Sequence, residues 1–129
     1  MKNRIGALVF ASLVIFTLSI APALAHHGNA SYDNRTITVK GVITEWRWIN
    51  PHCFLKFDAK DDKGNQVQWI GEWNAPSTLI NFGITAKSFK VGEEATVTMN
   101  GIAKSGANVG RVIKVVLSDG RALSMGDER

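Results

Sequence analysis

Three histidines carry the side chains best suited to chemistry in this chain. His26 and His27 are adjacent, and His52 stands apart in Asn50-Pro51-His52-Cys53. The pair gains its interest from what precedes it. Met1-Lys2-Asn3-Arg4 is basic, Ile5 to Ile20 is apolar with serine and threonine as its polar interruptions, and Ala23-Leu24-Ala25 closes the run with small residues. That order predicts a secretory signal peptide cleaved after Ala25. An uncleaved membrane anchor is the rival reading, because the run approaches the span of a bilayer; Pro22 and the Ala-x-Ala pattern favour cleavage. Cleavage would make His26 the first residue and place its free amine, its ring and the next backbone nitrogen within chelating distance of one centre. Such a grouping suits Cu(II), which prefers tetragonal nitrogen sites and leads the divalent affinity order. His27 adds an amine, amide and imidazole set at position two.

His52 would bring the nitrogen set to two or three imidazoles plus an amine, similar to the histidine brace of copper oxygenases and copper carriers in its terminus chemistry alone. Zinc is the second choice, since three histidines, or two with Glu72, would leave it an open position. Glu72 is expected on the inward phase of a strand near His52, where an acid needs a metal, a histidine or a base as partner. The plainer readings stand beside these. Terminal histidines are often only part of an unstructured arm, a histidine after proline is often a turn residue bonded to backbone, and a local bulge would turn Glu72 into solvent. Cys53, next to His52, offers a soft ligand for Cu(I), but strand alternation sends neighbours to opposite faces and favours a buried, inert thiol.

A second candidate site is aromatic. Counting outward from a Lys63-Gly64 tip sets Phe54 opposite Trp73 and Asp58 opposite Trp69, so Phe54, Trp69 and Trp73 share a face with Lys56. Open rings on rigid strands stack glycans, single strands or other ligands. Against this, a small fold must bury large residues somewhere, and Trp46, Trp48 and at least one other tryptophan are expected in the core. No nucleophile with a base, no phosphate-cradling glycine loop and no His-Glu helix motif is present, so the chain is not expected to be an enzyme.

The elements that must position these residues read as β structure. The arm from His26 to Arg35 has no period. From Thr36 to Ile49, β-branched and aromatic residues alternate, with Gly41 as the expected bulge that shifts the phase from Ile37 and Val39 to Val42, Thr44, Trp46 and Trp48. Pro51 ends that strand, because proline lacks the ladder donor. Strands near His52 to Ala59 and Gln66 to Trp73 flank the polar turn Asp61-Asp62-Lys63-Gly64-Asn65 and predict a hairpin. Asn74 is the expected cap of a short helix through Ser77, Leu79, Ile80 and Phe82, with Pro76 in its first turn and Gly83 as its stop. A fourth strand alternates Ala95, Val97 and Met99 with threonines. After the Lys104 to Gly110 loop, a fifth sets Val109, Arg111, Ile113, Val115 and Leu117 against Val112, Lys114 and Val116. Asp119-Gly120 turns into a short tail strand through Leu123. The fold class is therefore all-β with one short helix: a five-stranded OB-fold-like Greek-key barrel in the order strand-strand-strand-helix-strand-strand. A six-stranded barrel or sandwich is the alternative. The expected organisation is a signal peptide at 1–25, an arm at 26–35, an OB-fold-like domain at 36–125 and an exposed tail at 126–129.

The chain has 129 residues, with 15 basic and 11 acidic side chains. Removing the leader takes away Lys2 and Arg4 and lowers the formal charge from +4 to +2. No dense basic patch remains, so nucleic acid is not an expected partner. One cysteine cannot form an internal disulfide. After cleavage no stable membrane anchor is expected either.

His26-His27-Gly28 after the leader, Tyr32-Asp33, Gly41-Val42 with Glu45 and Trp48, Asn50-Pro51-His52, Glu72, Pro76, Leu79, Gly83, Val91-Gly92 and Leu117-Ser118-Asp119-Gly120-Arg121 resemble a family of small exported bacterial proteins, domain of unknown function family 6152. The resemblance covers the whole mature chain and implies fold and address rather than an activity. The expected protein is a periplasmic or secreted, monomeric or weakly associating carrier, buffer or assembly accessory, binding a metal ion through His26, His27, His52 and Glu72. The alternative is a metal-free periplasmic module that holds a glycan, a small envelope ligand or a partner protein with Phe54, Lys56, Trp69 and Trp73.

Overall fold

A computed structural model describes residues 31–126. The predicted leader, His26, His27 and the last three residues of the tail lie outside the described residues. The elements are β1 (Thr36–Arg47), β2 (Phe54–Lys60), β3 (Gln66–Glu72), α1 (Pro76–Leu79), a 3-10 turn (Ile80–Phe82), β4 (Glu94–Ile102), β5 (Val109–Leu117) and β6 (Ala122–Ser124). The chain is thus mostly β with one short helix, in the order expected from the sequence; the tail strand is β6, the sixth in the sheet. The sheet order is β3-β2-β1-β4-β5-β6, and β3 also pairs with β5 in parallel. Pairing therefore runs in a closed ring from β1 through β2, β3, β5 and β4 back to β1.

β1 sits at the centre of this arrangement, and Gly41 pairs with Ala59 on one side and Ala95 on the other. A Cβ at Gly41 would collide with the Asp58 carbonyl oxygen and stand 2.9 Å from Phe57 Cδ2. The glycine thus serves close approach of two strands and is not the bulge. Ile37, Val39, Gly41 and Ile43 all point inward, and Val42 faces out. The phase shifts three residues later, where Ile43 pairs with Phe57 but Glu45 with Lys56, leaving Thr44 as the extra residue. A second irregularity removes the clean alternation expected of β5. Thr98 pairs with Lys114 and Met99 with Val112, so Ile113 is extruded and Val112, Val115 and Leu117 all reach the core. Such extra residues bend strands, which a sheet must do to meet itself.

The β2–β3 hairpin is found where expected, but its register is one residue from the predicted one. Phe54 pairs with Glu72, Asp58 with Gln68 and Lys60 with Gln66. The cause lies in the turn. Asp61 N–H donates to the Asn65 carbonyl and Gly64 N–H to the Asp61 carbonyl, with Gly64 at φ 82°. A left-handed glycine at the third position makes a three-residue tip, not the two-residue tip assumed. The Asp61 carboxylate accepts from the backbone of Lys63 and Asn65 and locks that shape.

α1 begins on Ala75, whose side chain cannot cap, and not on Asn74. The Asn74 carbonyl instead receives the Cys53 N–H. Pro76 lies in the first turn and Gly83, at φ 75°, stops the 3-10 turn as its sequence position predicts. Leu79, Ile84 and Phe89 from this segment join Ile43, Leu55, Phe57, Trp73, Val97, Met99 and Val115 in one apolar cluster. Phe89 packs edge-on to Trp46 with ring centroids 4.9 Å apart. Trp46, Trp48 and Trp69 are partly buried against the core, and Trp73 is inside it.

Candidate functional site

The register of the hairpin decides where Glu72 goes. Leu55, Phe57 and Ala59 of β2 and Gly71 of β3 point inward, so Phe54, opposite Glu72, and Glu72 itself lie on the outer face. The expectation of an inward Glu72 is therefore corrected, and the one-residue slip is the reason. The carboxylate is nevertheless partnered on both oxygens. His52 Nδ1 meets Oε1 and the Tyr32 hydroxyl donates to Oε2.

Each partner is delivered by a different element. His52 stands in the loop between β1 and β2, after the cis Asn50–Pro51 bond, and half of its side chain is open to solvent, against 22% for Glu72. Tyr32 arrives on the arm that precedes β1. Ala103 forms a bridge with it, Lys104 N–H donates to the Ser31 carbonyl at 2.9 Å, and Asp33 and Ile102 exchange two bonds at 2.9 Å. Gly101, at φ 92°, brings its N–H 2.8 Å from the Arg35 carbonyl. Arg111, which pairs with Glu72 across the parallel β3–β5 seam, lays its guanidinium 4.8 Å from the centroid of the Tyr32 ring. A cation over an aromatic face is attracted by the ring quadrupole.

Two titrating groups report these contacts. Burial and the bond to Glu72 push the Tyr32 hydroxyl up to about 12. The Ile102 and Arg35 backbone N–H groups hold the Asp33 carboxyl down at about 2.

The remaining predicted residues divide. Cys53 is fully buried, and burial pushes its thiol up, as suits an inert core cysteine. Among the described residues no three of His, Cys, Asp and Glu come together to hold a metal ion; Glu72 and His52 supply at most two positions. The aromatic face is not formed. Phe54 and Lys56 lie outside, whereas Trp69 and Trp73 share the inward side with Gly71, again because the register slipped by one. Lys56 is occupied by Glu45, with Nζ 2.6 Å from Oε2, and this lysine holds the Glu45 carboxyl below its usual range. Sequence reasoning did not foresee the roles of Tyr32 and Arg111. The available signal was that Tyr32 is the single tyrosine of the chain, set beside Asp33 in an otherwise small and polar arm.

The features define a small, mostly β domain in which the arm before the first strand is fastened to a surface carboxylate-histidine pair. The chain belongs to the family of unknown function DUF6152, which residues 14–112 match. No curated protein and no solved structure matches it.

Proposed function

We propose that this protein is exported by a cleaved leader and binds a metal ion, copper before zinc, at the His52 end of the sheet, as a carrier, buffer or assembly accessory of the bacterial envelope. The observation that carries the reading is the bond from Tyr32 to Glu72, the carboxylate that also meets His52. It brings the arm that follows His26 and His27 to the third histidine. Four residues lie between His27 and Tyr32, and the five steps of chain that join them span at most about 18 Å. An amine and two imidazoles on a tether of this reach, with His52 Nε2, make a nitrogen-rich set of the kind Cu(II) prefers. The leader supports an oxidising compartment outside the cytoplasm, where a protein with one buried thiol needs no disulfide.

Titration of correctly processed protein with Cu(II), followed by electron paramagnetic resonance, tests this. A nitrogen-coordinated site tighter than a free His-His peptide is expected; affinity no better than the peptide sinks the reading. Acetylation of the His26 amine should weaken binding strongly, because it removes the amine from the chelate.

A further inference from the structure

We infer that Glu72 is a positioning residue of this site and not one of its ligands: one oxygen holds the His52 ring as its Nδ1–H tautomer with Nε2 turned outward, and the other anchors the amino-terminal arm through Tyr32. The inference rests on the copper reading for its use and on the geometry alone for its substance. An ionised carboxylate only accepts hydrogen bonds, so the nitrogen it meets must carry the proton. His52 Nδ1 is that nitrogen. The proton of a neutral imidazole resides on one nitrogen at a time, which leaves Nε2 as a bare lone pair on the far side of a ring that is 49% exposed. In water a free histidine side chain prefers the opposite tautomer, with the proton on Nε2, so Glu72 reverses the intrinsic preference of the ring.

Metal-binding histidines commonly donate their other N–H to a carboxylate, which fixes the ring and raises its basicity. Here that arrangement stands ready on a strand end. A metal on Glu72 itself would have to share an oxygen that already meets the His52 N–H or the Tyr32 hydroxyl, and would weaken that bond by drawing charge from it. The second bond gives Glu72 its other task. Tyr32 is held from three directions: by Glu72 at its hydroxyl, by the Arg111 guanidinium over its ring and by the bridge to Ala103 in its backbone. One carboxylate therefore sets the ring orientation of His52 and fixes the point from which the terminal histidines are tethered.

The test begins with metal-free, processed protein. Long-range proton–nitrogen correlation spectra of the His52 ring, at a pH where it is neutral, should show a protonated Nδ1 and a bare Nε2. Glu72→Ala should return the ring to the Nε2–H form, and Tyr32→Phe should leave the wild-type tautomer in place. A wild-type ring protonated at Nε2 overturns the inference, and this result needs no variant that folds. Copper then separates the roles. Loss of such an outer carboxylate weakens binding about ten- to a hundred-fold, so Glu72→Ala should lose that much affinity while the nitrogen hyperfine pattern of bound Cu(II) stays the same. Loss of an oxygen donor from the spectrum of that variant would make Glu72 a ligand and overturn the assignment. Tyr32→Phe should weaken binding without changing the donor set; wild-type affinity in that variant overturns the anchoring half. If the wild-type protein binds no copper, the proposed function fails, and the metal-free spectra still decide what Glu72 does.

Discussion

Tyr32 and Glu72, forty residues apart, are joined by a hydrogen bond from the phenol to the carboxylate. The bond favours the neutral phenol, as does burial, and together they raise its titration from about 10 to about 12. Between those values the folded chain keeps a proton that the unfolded chain has lost, so stability is fully present below pH ~10 and falls as pH rises through the window. Ultraviolet titration of the single tyrosine should show this late ionisation. Proteolysis within the arm should accelerate over the same range, and Tyr32→Phe should abolish that dependence.

Asp33 answers at the acid end. Its carboxyl is held at about 2 by the Ile102 and Arg35 N–H groups, so the folded chain stays charged where the unfolded one takes up a proton. The contribution is whole above pH ~3.9 and is lost as pH falls through the folded value. Carbon-detected NMR titration should find this carboxyl still ionised at pH ~3. In Asp33→Ala, the Ile102 amide loses its side-chain acceptor and should exchange with solvent much faster than in the native protein.

Three strand glycines, Gly41, Gly71 and Gly110, leave no free space for a Cβ, and the first two differ in what would have to move. A Cβ on Gly71 would run into Val112 Cγ2, and one on Gly41 into the Asp58 carbonyl. Overpacking of this kind typically costs about 1–3 kcal/mol. Gly71→Ala should fall in that range because a valine methyl can yield, and Gly41→Ala should cost more because backbone cannot. Urea midpoints at an unchanged slope are the measurement.

Cys53 is fully buried and its thiol is pushed up by that burial. Alkylating reagents should therefore modify it only as fast as the protein unfolds, with a rate that follows denaturant-dependent opening. Rapid modification of native protein would mean the thiol is open to the His52 loop.

Much of the fold was legible because it rests on local pattern. The alternation of Ala95, Val97 and Met99, the acidic turn before Gly64 and the stop at Gly83 each depend on neighbours along the chain. The site was less legible because it depends on register. Gly64 as third residue of the tip shifted β3 by one position, which turned Glu72 outward and parted Phe54 and Lys56 from Trp69 and Trp73. Nothing in a sequence period marks that choice, since two- and three-residue tips use the same turn residues. The extruded Thr44 and Ile113 were hidden for a similar reason: a bulge is visible only when both partners of a pair are known. The Tyr32 contact is a tertiary match between two polar side chains, and such matches carry no period at all.

The parallel seam between β3 and β5 is the shortest link in the ring, with three residue pairs from Ile70–Val109 to Glu72–Arg111. Its partners are separated by a helix and a strand; the β1–β4 link spans more of the chain but is held by seven pairs, so the seam has the fewest contacts to offset its loop-closure entropy. The ring thus has a clasp, the one link in it held by three pairs. Glu72 and Arg111 form the outermost pair of that clasp, and Tyr32 lies across both. Fastening the arm there bolts the closure from outside, because a single side chain, Tyr32, engages one residue from each strand of the join.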